Sequence, residues 1–257
     1  MKIIISPAKK MRVDTDSMEC KGLPVFLAES EKLLARLRSM TPAELQKLWK
    51  CNDQIAALNV ERLQDMRLDR NLTPALLAYE GIQYRCMAPE VFTDREFAYI
   101  QEHLRILSGF YGILRPFDGI VPYRLEMQAA LAVDGSRDLY AFWSDRLAKQ
   151  LFAETDCIIN LASKEYSRCI TAFLPPDVRM ITCVFGEEKA GKIIEKGTMC
   201  KMARGEMVRF MAENQIEDAR QLKEFHAQGY RYAQEYSDDS RYVFLKETKK
   251  PQDYSCG

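Results

Sequence analysis

Cys157-Ile158-Ile159-Asn160-Leu161-Ala162-Ser163-Lys164-Glu165-Tyr166 is the stretch from which the fold is read. Its apolar run fits a buried strand at 157–161, and a short helical pattern follows at once. The strand delivers an amide, a hydroxyl, a carboxylate and a phenol (Asn160, Ser163, Glu165, Tyr166) to its C-terminal end. In open α/β sheets that end is where ligands bind. A second segment of the same kind opens the chain, where Ile3-Ile4-Ile5 runs into Ser6-Pro7-Ala8-Lys9. If the two strands lie parallel and near each other, their polar ends line one cleft.

Outward from these two strands, helices and strands interleave. Residues 24–39 have leucines near helical spacing, Thr41-Pro42-Ala43-Glu44 is a capped helix start, and helical patterning recurs over 52–66. Residues 74–87 read as β-rich with a turn at Gly81. Thr93-Asp94-Arg95-Glu96 is another capping box, opening a helix that runs to about Leu107. The glycines and prolines of 108–127 predict an irregular loop, and a long loop inside a domain is usually functional. A helix follows over 138–152, a strand pair over 179–186 and 191–196, helices over 199–214 and 218–226, and two strands over 229–245. The pattern predicts one α/β domain over residues 1–246, an α+β mixed sheet with flanking helices, and a loose tail over 247–257.

With 257 residues, 47% of them hydrophobic and 29% charged, the chain can bury a large core without staples. Its 37 basic and 37 acidic residues argue against wholesale coating of a polyanion but allow a local basic stripe. Eight scattered cysteines with no C-x-x-C pair, and only two histidines, speak against a zinc or iron–sulfur site. Neither a metal nor a cofactor is expected, and the thiols read as reduced, in a cytoplasm. The apolar run in residues 1–10 is too short for a secretory segment, and nothing approaches a membrane span.

Several segments carry chemistry. On a helix over 199–214, Lys201, Arg204, Gly205 and Val208 share one face, while Met199, Ala203, Met207, Phe210 and Met211 face the core. Lys201 and Arg204 sit one turn apart near a helix N-terminus, where a phosphate gains from both. A solvated basic face is the plain alternative. Cys200 begins the same helix, where helix start and lysine would lower a thiol's pKa, although an inert, partly buried cysteine is the plainer reading. Gly109 and Gly112, with apolar residues between, resemble the hairpin of a helix-hairpin-helix element that offers amides to a phosphate; a glycine-bearing helix stop is the alternative. Arg124 and Glu126 fall on one side of an extended Pro122–Met127, to pair with each other or to orient Arg124 toward an anion. Ser6, Ser163 and Glu165 lack a histidine base, and no phosphate-loop or dinucleotide signature is present. Lys9 with Glu165 or Tyr166 is the remaining acid/base set.

Together these blocks resemble the YaaA family. They are Ser6-Pro7-Ala8-Lys9, Leu107–Asp118, Pro122–Met127, Tyr140–Trp143, Asn160–Ser163 with Glu165-Tyr166, and Lys201 with Ala203-Arg204-Gly205, running in order from Ile3 to about Phe244. The resemblance implies a cytoplasmic bacterial protein of peroxide-stress resistance that limits free intracellular iron and oxidative DNA damage. It also implies the family's single-domain "cantaloupe" fold, with a basic cleft and a helix-hairpin-helix-like element that bind distorted DNA. Lys10, Ser144 and Lys164 stand where the family pattern has threonine, glycine, and aspartate or asparagine.

The leading expectation is therefore a monomer that binds duplex, bubble or junction DNA. Lys9, Arg115, Arg124, Lys201 and Arg204 would contact phosphates and the Gly109–Gly112 turn would offer amides. The alternative is an enzyme acting on a small phosphorylated or nucleotide-like substrate, a small anionic ligand held by Ser6, Asn160, Ser163, Glu165 and Tyr166. Direct iron sequestration fits least, because no paired cysteines or clustered histidines supply ligands.

Overall fold

Strand Lys2–Ile5 lies at the centre of the molecule, every one of its residues buried. Three successive isoleucines suit a strand covered on both faces, because branched side chains pack well on a pleated surface. In the computed structural model, which describes residues 1–247, this strand pairs in parallel with Leu104–Ser108 on one side and Cys157–Asn160 on the other. The expected adjacency of the two polar strand ends is therefore real, with Ile3 opposite Ile159 and Ile4 opposite Asn160. Beyond Cys157–Asn160 follow Arg179–Lys189 and then Arg241–Lys246, both parallel. Antiparallel strands Gly112–Leu114 and Tyr230–Tyr232 close the two edges, and Lys192–Ile194 folds back on Arg179–Lys189 to complete an eight-stranded sheet.

This strand order has a functional consequence. From Ile5 the chain leaves toward Leu104–Ser108, whereas from Asn160 it leaves toward Arg179–Lys189 on the opposite side. The two loops diverge between neighbouring strands, which opens a crevice at their C-terminal ends. Helix Gly197–Glu213 borders it, packed closely on helix Ile82–Met87. A Cβ at Gly205 would stand 2.1 Å from the carbonyl oxygen of Gln83, so only glycine lets the two backbones approach this far. Gly205 is buried at this contact and Val208 is buried too, so the expected basic face of the helix is reduced to Lys201 and part of Arg204.

The described residues form one mixed α/β domain, as expected, but several elements differ from the sequence reading. Residues 74–87, expected to be β-rich, hold the helices Ala75–Ala78 and Ile82–Met87, with strands of only two residues beside them. The helix from Asp94 stops at His103, and Leu104–Ser108 is a strand. A short apolar run cannot distinguish a buried strand from a continued helix. The expected loop after it begins as a β-hairpin, in which Ser108 pairs with Gly112. This corrects the helix-hairpin-helix expectation. The turn is buried, and the amides of Phe110 and Tyr111 donate to Ser108 Oγ at 3.2 and 2.9 Å. Gly109 is pressed against the Leu125 carbonyl, so the turn has no amides to offer an outside phosphate. Helix 138–152 is broken into Leu139–Trp143 and Arg146–Phe152 at Ser144, whose φ of 46° ends the first piece. The segment expected as a helix over 218–226 is a 3-10 turn, Ala219–Glu224.

Glu247, assigned to the loose tail, donates its amide to Gly229 at 2.8 Å. Residues 248–257 of that tail lie outside the described residues. Among the described residues, no helix is long and apolar enough to cross a membrane.

Candidate functional site

The crevice floor is a seam between the two central strand ends. The amide of Ser163 donates to Ser6 Oγ at 2.8 Å, and the two hydroxyls are 3.2 Å apart. Tyr84 donates its phenolic proton to the Ser6 carbonyl at 3.0 Å, fixing the loop from the opposite wall. Asn160 is buried beneath this seam, at 4% exposure, and does not line the crevice. Its Oδ1 accepts from the Ala162 amide at 3.0 Å and its Nδ2 donates to Thr182 at 3.2 Å. Asn160 therefore shapes the turn that presents Ser163.

Above the seam lies a cavity of about 370 Å³. Ser6, Lys9, Arg124, Ser163, Glu165, Tyr166, Lys201 and Arg204 all line it, from four separate stretches of sequence. Gly109 and Gly112 are in the buried hairpin instead. Arg115 lines a different hollow, with Arg105, Asp118 and Glu154 beside the start of the Leu104 strand, because the hairpin turns the chain away from the crevice. The sequence reading passed over Gln83 and Tyr84, which sit on the wall supplied by Ile82–Met87. Reading that segment as strand hid them. A glycine followed by six residues with no proline was the available signal, and it is a weak one.

Charge in the cavity is incompletely matched. Glu126 accepts an ion pair from Lys9 at 2.7 Å and lies 3.1 Å from an Arg124 terminal nitrogen, at an angle too poor for a hydrogen bond. The Arg124 side chain is only 11% exposed and its Nε has no acceptor. Arg204 is similar: 14% exposed, 3.8 Å from its nearest carboxylate, Glu195, with its Nε unpaired. Gln83, buried in the same wall, has no acceptor for Nε2. Buried donors without acceptors are costly, and a bound water, ion or ligand group that accepted from them would recover that cost.

Glu165 accepts from the Gln128 amide at 3.2 Å. Burial pushes its pKa up and the Glu126 charge adds to this, while the Gln128 amide and Lys9 pull it back. Burial also holds the Tyr166 phenol far above its usual range, with Tyr123, Glu165 and Glu126 adding. Cys200 does not have the depressed pKa its place at a helix start would give. Burial raises it first, Glu195 next, and its thiol donates to the Phe185 carbonyl at 3.1 Å.

A family model described as "Peroxide stress protein YaaA" matches residues 1–236. The chain belongs to the YaaA family. Among its relatives, a UPF0246 protein of Desulfitobacterium hafniense (strain Y51) is 55% identical over 246 residues, 96% of this chain and 98% of its own length. Another, from Pediococcus pentosaceus, is 52% identical with the same coverage, and one from Lactiplantibacillus plantarum is 52% identical over 245 residues, 95% of this chain and 99% of its own. In this YaaA-family chain the two added lysines behave differently. Lys10 pairs with Glu80 at 2.8 Å on the cavity wall, whereas Lys164 is exposed at the start of the helix behind Ser163.

Proposed function

We propose that this peroxide-stress protein acts by holding a phosphate-bearing, nucleotide-like ligand in the crevice between Ser6 and Ser163. The carrying observation is that the Nε atoms of Arg124 and Arg204 are both buried without an acceptor around one cavity. A phosphate offers both an acceptor and a countercharge, and guanidinium groups suit it. The volume of about 370 Å³ suits a small ligand. On this reading Glu165 is the acid/base candidate, and the hydroxyls of Ser6 and Ser163 orient the bound group. Lower free iron is then an indirect consequence, since among the described residues no group of three His, Cys, Asp or Glu side chains comes together to hold a metal.

A specific observation favours DNA as the bearer of the phosphate. Lys9, Lys10 and Lys201 are exposed around the rim of the cavity, the first two sharing their charge with Glu126 and Glu80, so that a phosphate track there would rest first on Lys201. A strand crossing that rim would bind with a steep salt dependence, each neutralised phosphate adding about −0.9 to the logarithmic slope for duplex DNA.

Titration calorimetry with a nucleoside monophosphate and with duplex and bubble-containing DNA, over a salt series, tests both readings. Arg204→Ala should weaken the tighter ligand roughly 10- to 100-fold, the scale of a lost charged hydrogen bond. Lys201→Ala should flatten the salt slope for DNA by about one unit if the rim is a strand track. No binding of either ligand at low salt would end the proposal.

A further inference from the structure

We infer that the cavity recognises a terminal phosphomonoester, the phosphate at the end of a nucleotide or of a strand, and discriminates against an internal phosphodiester. This rests on the phosphate reading above and says which phosphate.

Three features lead to it. First, three enclosed donors are left unpaired on side chains that line one cavity, Nε of Arg124, Nε of Arg204 and Nε2 of Gln83, the last on a side chain only 7% exposed, beside one unpaired acceptor, Glu126 Oε1. A phosphomonoester has three non-ester oxygens, each a strong acceptor; a diester has two. Second, the cavity is lined by five cations (Lys9, Lys10, Arg124, Lys201, Arg204) and three carboxylates (Glu80, Glu126, Glu165), an excess of two positive charges. That excess suits the roughly −1.5 to −2 charge of a monoester near neutral pH, against about −1 for a diester. Third, the floor is closed by hydrogen bonds between side chains and backbone. Ser6 is tied to Ser163, and Tyr84 to the Ser6 carbonyl. An internal phosphate continues into chain on two sides, whereas a terminal one can end against such a floor.

The helix Lys164–Thr171 adds to the anionic preference. It starts at this floor, and the side chain of its N-cap, Ser163, makes no capping bond to the helix's own amides. Glu165 in the first turn offsets part of the positive end of the helix, and the Ser163 side chain adds nothing to that. The donor on Gln83 is what a mere basic surface patch would lack.

Calorimetric titration of the full chain decides the matter. The probes are inorganic phosphate, a nucleoside, its 5′-monophosphate, and one single-stranded oligonucleotide made with and without a terminal phosphate. The monophosphate should bind at least about tenfold tighter than the nucleoside, and the phosphorylated oligonucleotide similarly tighter than its hydroxyl-ended twin, the scale of one charged hydrogen bond. Which phosphorylated probe binds best then tells whether the natural source is a free nucleotide or a strand end. Gln83→Leu should erase most of the preference for the phosphorylated end while leaving salt-dependent binding. If that variant does not fold, the wild-type comparison alone suffices. Equal affinity for both oligonucleotides, each salt-dependent, would overturn the inference and leave the phosphate reading standing. Failure of every probe, inorganic phosphate included, would overturn both.

Discussion

Asp118 is a carboxylate held where charge is expensive. It is 7% exposed, and burial lifts its pKa to about 6, with Glu154 adding, against the opposing pull of the Arg115 amide and the Arg115 and Arg105 guanidinium groups. Because the folded value lies above the ordinary 3.8, protonation favours the fold. That contribution is complete below about 3.8 and disappears as pH rises through about 6. Asp118→Asn keeps an acceptor for the Arg115 amide, now 2.8 Å from Oδ2, and deletes the charge. Denaturant unfolding should therefore find the variant gaining on wild type by about 1–2 kcal/mol between pH 5 and pH 8. A difference that stays constant with pH would mean the carboxyl titrates normally. At this scale the site was largely legible in the sequence. Polar residues directly after apolar runs (Ser6, Lys9, Ser163, Glu165, Tyr166) had to sit at strand ends, and eight of the residues singled out share one cavity. Asn160 and Arg115 were misplaced for different reasons. The last strand residue turns into the sheet, and a hairpin invisible to helical periodicity redirects the chain before Arg115.

Helix Gly197–Glu213 depends on its contact with Ile82–Met87 for its place beside the crevice. Gly205→Ala would drive a methyl into the Gln83 backbone, which cannot rotate away. Alanine's better helix propensity offsets the strain by about 1 kcal/mol, yet overpacking against backbone should still leave a net loss of about 1–3 kcal/mol. A lower urea midpoint with unchanged slope would register it. A midpoint at or above wild type would show that the two helices separate freely. Both capping boxes, Thr41 with Glu44 and Thr93 with Glu96, form as their spacing required, because a cap is local chemistry. The partner helix at 82–87 was not readable, since its six residues are set by burial beneath a neighbour 120 positions away rather than by their own period.

For the molecule as a whole, the parallel core of the sheet should be the last region to open. Hydrogen exchange should be slowest at the amides of Ile3 to Ile5 and Ile158 to Asn160, and faster in helix Asp53–Asp65, which packs on two other helices away from the sheet. Uniform protection across both would indicate a single opening unit. The alternation of helices and strands announced this layered architecture, while the order of the strands needed pairings that no local pattern encodes. That order also dictates how the chain is born. The isoleucine triplet leaves the ribosome about 100 residues before its neighbour near Leu104 and about 155 residues before its neighbour near Ile159. At about 5–20 residues per second the triplet waits roughly 10–30 s for its second flank. Throughout that interval it is an apolar strand with open edges, in need of shelter from other nascent chains. The seam between Ser6 and Ser163 closes later still, so no shortened translation product that stops before Ser163 can possess the crevice.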